Sequence, residues 1–443
     1  MKPSNPLKDY EEKKLGIFHL KTTLMAGAGQ IVDGYDLTAA ALVLSLVESS
    51  FSSYNLVQVS LILFLSITLG NIVGGILFGY LVRHGRKRFY GIDATLMTLG
   101  ALLQAFAQSP YELAILRFLL GVGIGADYVL SPLINAEYAN RRDRGKLLAL
   151  SGGFMWNVGA LLSVVATIAL EPLVPQDMLW RIVLASGSIP AIAVIYGRRK
   201  FPETPQYLAF VKGDVNELRE KYDVSTGSIS LRKVFLRAFI PTLVLASLTW
   251  YLFDVSAYSG VFFGPSVIAK DLGVNGLVFE LIILGGFAVP WNLASAALND
   301  MLGRRLLQAV GFAGMGAFTL LFALFFGKIM AVESLLLYGL STIFSQLGPR
   351  TVVGFWGVEL FPAELRGITQ GITVMSGRLG VLITTFLFPI IISSYGIVDT
   401  MILLAGLSFI AVLVTTLLPE PNQVSLAERE IQLRGVQDIA KEK

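Results

Sequence analysis

Apolar residues run along this chain in stretches of about twenty, the length a helix needs to cross the hydrocarbon core of a bilayer. Twelve such stretches stand out, near 20–47, 56–82, 88–107, 112–138, 146–170, 180–198, 236–263, 277–298, 304–326, 334–358, 368–394 and 397–418. Short polar clusters separate most of them. The longest polar interval, 199–235, contains "KFPETPQYLAFVKGDVNELREKYDVSTGS" and divides six helices from six. The pattern predicts an all-α membrane protein: a first bundle over 1–198, a linker over 199–235, a second bundle over 236–419 and a tail over 420–443.

Composition supports this reading. Of 443 residues, 54% are hydrophobic and 15% charged, against about 25% charged in soluble domains. The mean hydropathy is +0.67. A net charge of +4 does not point to nucleic acid, and the absence of cysteine excludes disulfides and thiolate metal sites. No cofactor or metal is expected.

Charge position sets the expected orientation. "RHGRKR" (83–88), "RRDRGK" (141–146), "GRR" (303–305) and Arg366 fall in loops on one side, whereas the other side offers little beyond Lys270 and Lys328. The positive-inside rule places both termini and the linker in the cytoplasm, of a protein expected to cross the cell membrane many times as a monomer. Those loops also repeat. "GRKR" at 85–88 returns as "GRRL" at 303–306, Glu137-x6-Arg144-Gly145 as Glu359-x6-Arg366-Gly367, and "PET" at 202–204 as "PEP" at 419–421, all at offsets near 220. The halves read as parallel copies of one six-helix unit.

On these motifs the chain resembles the major facilitator superfamily over nearly its whole length: "GYLVRHGRKR" (Gly79–Arg88), its second copy "LNDMLGRR" (Leu298–Arg305), "RFLLGVGIG" (Arg117–Gly125) and "PETPQYL" (Pro202–Leu208). The resemblance implies twelve helices in two pseudo-symmetric six-helix bundles. It also implies an inner gate, formed by Arg86/Arg88 with Glu359/Arg366 and by Arg304/Arg305 with Glu137/Arg144. The first basic loop has Val82 where the family has an aspartate; the second copy keeps Asp300, so the first-half contact is expected to be the weaker.

Charges within the apolar stretches are costly, about 2.5–3.5 kcal/mol at a helix centre, and mark functional sites by default. Near mid-membrane stand Asp33 and Asp36 in "VDGYDL", Asp127 beside Tyr128, Asp254, Arg350 in "LGPRT" and Arg378 in "SGRLG". Trp250, Asp254 and Tyr258 are spaced i, i+4, i+8 and share one helical face. The repeat maps Asp36 onto Asp254 and Tyr128 onto Arg350. In the major facilitator architecture helices 1, 4, 7 and 10 line a central cavity, so these charges are expected to face it. Asp93, in helix 3, reads instead as a helix-packing or loop-pairing residue.

Two mid-membrane arginines favour an anionic cargo, because guanidinium offers phosphate or carboxylate a planar donor fork. Several nearby aspartates suit that cargo only if some hold protons, which is the logic of a symporter. "GADYVLS", "W-x3-D-x3-Y", "SGRLG" and "VDGYDL" together resemble the phosphate:proton symporter family. That resemblance implies proton movement at Asp33, Asp36 and Asp127, and a phosphate site of Tyr128, Trp250, Asp254 and Tyr258. Asp254, a fourth aspartate at this depth, is counted with the proton-coupling set as well. The family usually has lysine at Arg378 and asparagine at Arg350. The expected partners are a small anion, protons and the lipid bilayer. Phosphate ranks first, an organic anion second and a sugar third, since "LTWYLFDVSAYSGVFF" lacks the glutamine pair and asparagine of sugar porters. The residues show no enzyme-like constellation; a nutrient sensor is the non-transporting alternative.

Overall fold

The computed structural model describes residues 5–222 and 236–441; the rest of the 199–235 interval, from 223 on, lies outside the described residues. Every described element is helical. Near the start of the chain come α1 (Ile17–Leu42), followed after a 60° bend by Leu44–Ser50, α2 (Val57–His84), α3 (Ile92–Phe106), α4 (Pro110–Tyr138), α5 (Arg144–Leu170) and α6 (Gln176–Arg199). Beyond 235 follow α7 (Leu236–Phe263), α8 (Gly276–Leu302), α9 (Arg304–Phe325) and α10 (Ala331–Leu347). The run Arg366–Thr416 is broken at Gly396 (φ 81°, ψ 174°) into α11 (366–395) and α12 (397–416).

Among the described residues eight helices are long and apolar enough to span a membrane, nine if the bent α1 pair counts as one span. The twelve spans read from the sequence are therefore not all met by that measure. The physical reasons are local: α3 is short, α10 stops after 17 residues where Gly348 and Pro349 interrupt it, and α11 and α12 form one run across the Gly396 kink.

Between helices in lipid the hydrophobic effect gives little drive, so close backbone approach and dispersion do the work. α2 and α4 show it. A Cβ added at Gly121 or Gly125 of α4 would stand 2.1 Å from the carbonyl oxygens of Ile67 or Asn71, and one at Gly70 or Gly74 of α2 would meet Phe118 or Val122 as closely. The opposite face of α2 carries Gly75 and Gly79 against Gly367 and Gly371 of α11, which brings the two halves together. Large apolar side chains such as Val73, Ile115, Ile189, Val310 and Leu413 stay exposed on the perimeter, as a lipid-facing surface requires.

Candidate functional site

A cavity of about 60 Å³ lies between the halves, walled by Tyr128 of α4, Trp156 of α5, Trp250, Asp254 and Tyr258 of α7, and Arg350. The i, i+4, i+8 face of α7 thus points inward as the spacing predicts. Two backbone breaks open this region: Gly152 leaves helical geometry within α5 (φ −91°, ψ −107°), and Gly348 does so at the end of α10 (φ −126°, ψ −76°). The second break sets Arg350 across the cavity, its Cζ 3.5 Å from the centre of the Trp156 ring. Arg350 forms no ion pair among the described residues.

Arg378 and Asp33 stand one side chain behind this wall. Asp33 Oδ2 accepts from Tyr128 Oη (2.7 Å) and Trp156 Nε1 (2.8 Å). Arg378 Nη1 donates to Tyr258 Oη (2.6 Å), and its guanidinium lies 4.4 Å from the centre of the Tyr128 ring. Its carboxylate neighbours are farther, Asp33 Oδ2 at 3.7 Å from Nη2 and Asp254 Oδ2 at 3.6 Å from Nη1. Arg378 Nε and Nη2, Asp33 Oδ1 and Asp254 Oδ2 are buried without a hydrogen-bond partner among the described residues. Two arginines and two aspartates, matched in number, surround the cavity with hydrogen-bonding capacity left over.

Two expected cavity residues are elsewhere. Asp36 is fully buried against Arg117 (2.9 Å), with Gln104 completing the knot by accepting from Arg117 (2.9 Å). The geometry overturns the assignment of Asp36 to the cavity. The helical turn carrying Asp33 inward rotates Asp36 toward α4. Asp127 also turns from the cavity. It accepts from Arg198 (2.7 Å) and Ser131 (2.6 Å), and Arg198 also pairs with Asp93. Gln30 and Ser131, which touch Asp127 and line the cavity, connect the two. Arg198 was not singled out in the sequence. It ends α6 in "GRRK", where it reads as loop charge.

The basic loops seal one face, with a different pairing from the expected one. Each loop arginine bonds the glutamate of its own half: Arg86 to Glu137 (3.1 Å) and Arg304 to Glu359 (3.0 Å). The arginines seven residues after those glutamates cross over, Arg144 to Glu359 (2.7 Å) and Arg366 to Glu137 (3.3 Å). Arg88 and Arg305 are exposed and form no such pair among the described residues. Gly85 (φ 129°) and Gly303 (φ 86°) turn the loops with left-handed backbone that a side chain would strain. Glu203 then accepts from the Arg86 and Lys87 amides, and Glu420 from those of Arg304 and Arg305. Burial pushes the Glu203 carboxyl upward from its ordinary range.

The symmetry fails where Val82 replaces an aspartate. Asp300 accepts from the backbone N–H groups of Gly145 (2.9 Å) and Lys146 (2.7 Å) at the start of α5. At the matching start of α11 the Val82 side chain lies against Gly367 and offers no acceptor. On the opposite face Phe64 of α2 stacks on Phe262 of α7, centroids 4.1 Å apart. Contacts between the halves thus exist on both sides of the cavity.

This fold, with polar side chains gathered between its halves, is that of a membrane transporter. Residues 22–432 match the family described as sugar (and other) transporter. An inorganic phosphate transporter of Oryza sativa subsp. japonica is 31% identical, aligned over 93% of this chain and 92% of its own. A probable inorganic phosphate transporter of Arabidopsis thaliana is 29% identical, over 95% of each. Among solved structures, a proton:xylose symporter bound to 6-bromo-6-deoxy-D-glucose superimposes with a TM-score of 0.81 at 20% identity, covering 94% of this chain and 99% of that one. The inward-open xylose transporter from E. coli gives a TM-score of 0.69, also at 20% identity, over 94% of this chain and 99% of its own. The chain belongs to the sugar (and other) transporter family within the major facilitator superfamily, and within it resembles the inorganic phosphate transporters.

Proposed function

We propose that this protein is a proton-coupled symporter of a small anion, inorganic phosphate first, working by alternating access. The observation that supports it best is the surplus of donors around the cavity. Arg350 faces the cavity with no carboxylate partner, and Arg378 holds two unfilled donors directly behind Tyr258. A buried guanidinium bonds an oxyanion far more strongly than a neutral solute. The likeness to inorganic phosphate transporters agrees with that chemistry.

Proton coupling follows from charge. Arg350 and Arg378 are balanced by Asp33 and Asp254, so an entering anion leaves an uncompensated negative charge in a low-dielectric site. A proton on Asp33 or Asp254 removes it. In this reading the anion binds Arg350 first, with Tyr128, Trp250 and Tyr258 around it. The protonated aspartate then releases Arg378 toward the cargo. Asp127 and Asp36, held by Arg198 and Arg117, relay protons without touching the anion. The halves rock about the site as the Arg144–Glu359 and Arg366–Glu137 pairs break and re-form on the cytoplasmic side. Uptake of labelled phosphate into liposomes containing only this protein tests the reading: uptake under an inward proton gradient supports it, and uptake indifferent to pH or driven by sodium contradicts it. A simple carboxylate that outcompetes phosphate would favour the organic-anion alternative.

A further inference from the structure

A second cavity of about 100 Å³ lies inside the second half and shares Trp156, Phe253 and Arg350 with the first. Its wall is hydroxyl-rich: Ser256 and Ser259 of α7, Thr319 of α9, Tyr338 and Ser341 of α10, and Ser408 of α12. Ser256, Ser259 and Ser408 donate to carbonyls of their own helices, so their remaining lone pairs accept. Into this chamber projects Glu280 of α8, only 6% exposed. Among the described residues it has neither an ion pair nor a hydrogen bond. The titratable side chains facing the chamber with it are Tyr338 from α10 and Arg350 at the central-cavity end; α5, α7, α9 and α12 contribute none.

Its position gives this group a task. Glu280 lies one turn into α8, at the end remote from the basic loops, and a Cβ at Gly264 would stand 3.1 Å from its Oε1. Gly264 and Pro265 are where α7 leaves its regular helix, and the start of α8 packs directly against the Pro265 backbone. The carboxyl group therefore sits at the hinge that must move if this face is to open. At the other end the chamber reaches Arg350 and the anion cavity.

We propose that Glu280 is a second proton-binding site, which takes its proton from the face opposite the basic loops and must be neutral for that face to close. The step is simple in its balance: hydronium gives a proton to a Glu280 carboxylate oxygen and leaves as water. An unpaired carboxylate enclosed in this chamber, with Arg350 at the far end and not paired to it, has no bonded cation to offset its lost hydration, whereas the neutral acid can donate to the lone pairs around it. Closure of this face is thereby linked to protonation, a link separate from the aspartates that meet the anion. The inference rests on the symport reading for its transport consequence, but not for the protonation itself.

The test compares the parent with Glu280→Gln, which mimics the neutral acid. In proteoliposomes, initial uptake of labelled inorganic phosphate by the parent should fall as external pH rises. E280Q should keep its acid-side rate at alkaline external pH with unchanged phosphate affinity. An E280Q pH profile superimposable on the parent's overturns the proposal while leaving the symport reading intact. A parent rate indifferent to pH rejects the symport reading instead. Infrared difference spectra of the full chain in nanodiscs then decide on Glu280 alone: a protonated-carboxyl band present in the parent and missing in E280Q supports the site, and identical spectra overturn it.

Discussion

Arg378 Nη2 of α11 stands 3.7 Å from Asp33 Oδ2 of α1, so a buried pair of opposite charges spans the boundary between the two halves. Neither group is used up by the other. Asp33 is held by Tyr128 and Trp156, and Arg378 by Tyr258. A loose pair of this kind suits a site in which an anion and a proton must replace the internal partners and later return them.

Arg350 and Arg378 should both carry phosphate affinity. Removing a charge-assisted hydrogen bond costs about 1.5–3 kcal/mol, so R350A and R378A should each weaken binding roughly ten- to hundredfold. R378K should lose less than R378A, because an ammonium still serves phosphate as a point charge. Competition binding of phosphate to the purified variants reads this directly. Unchanged affinity in both alanine forms would point to an uncharged cargo and bring the sugar reading forward.

Arg198 and Asp127 should separate stability from coupling. Arg198 compensates Asp93 and Asp127 together, and removing one partner of a buried pair costs about 3–5 kcal/mol. R198L should therefore unfold in detergent well below the parent. D127N keeps the Arg198–Asp93 pair and should remain folded, yet lose proton-driven accumulation while retaining exchange. Thermal unfolding beside liposome counterflow checks both. Parent-like accumulation by D127N would assign Asp127 to structure alone.

The Val82 asymmetry predicts an adjustable gate. In V82D a carboxylate can accept from the first amides of α11 as Asp300 does from α5, a helix-terminus interaction worth about 0.3–2 kcal/mol. D300N removes the existing contact. With no native cysteine in the chain, a single L148C at the central cavity gives a clean probe. Its labelling from the basic-loop face should slow in V82D and quicken in D300N; equal rates in both would show that these carboxylates do not govern that gate.

The sequence made the fold class legible because spanning length, loop charge and the repeat each point to the same architecture. It also placed Trp250, Asp254 and Tyr258 on the cavity, since one helix period decides that face. It failed where the answer depends on how helices are rotated about one another. Asp33 and Asp36 are three residues apart, yet one bonds the cavity-wall residue Tyr128 and the other Arg117. Arg198 was concealed within a basic run at a helix end, and Glu280 stood as a single carboxylate in "VNGLVFELIILGG" with no spacing to mark it. Of the expected gate residues Arg86, Arg144, Arg304, Arg366, Glu137 and Glu359 meet one another, Arg88 and Arg305 do not, and the partners, exchanged between halves, needed three dimensions.

A proton-driven symporter must concentrate its anion at the expense of the proton gradient. The most direct measurement is labelled phosphate uptake into liposomes containing only this protein, with the exterior made acidic and no sodium present. Symport requires accumulation above the external concentration, lost on adding a protonophore and lost in R350A. Uptake that only equilibrates, or that persists unchanged with the protonophore, would contradict it.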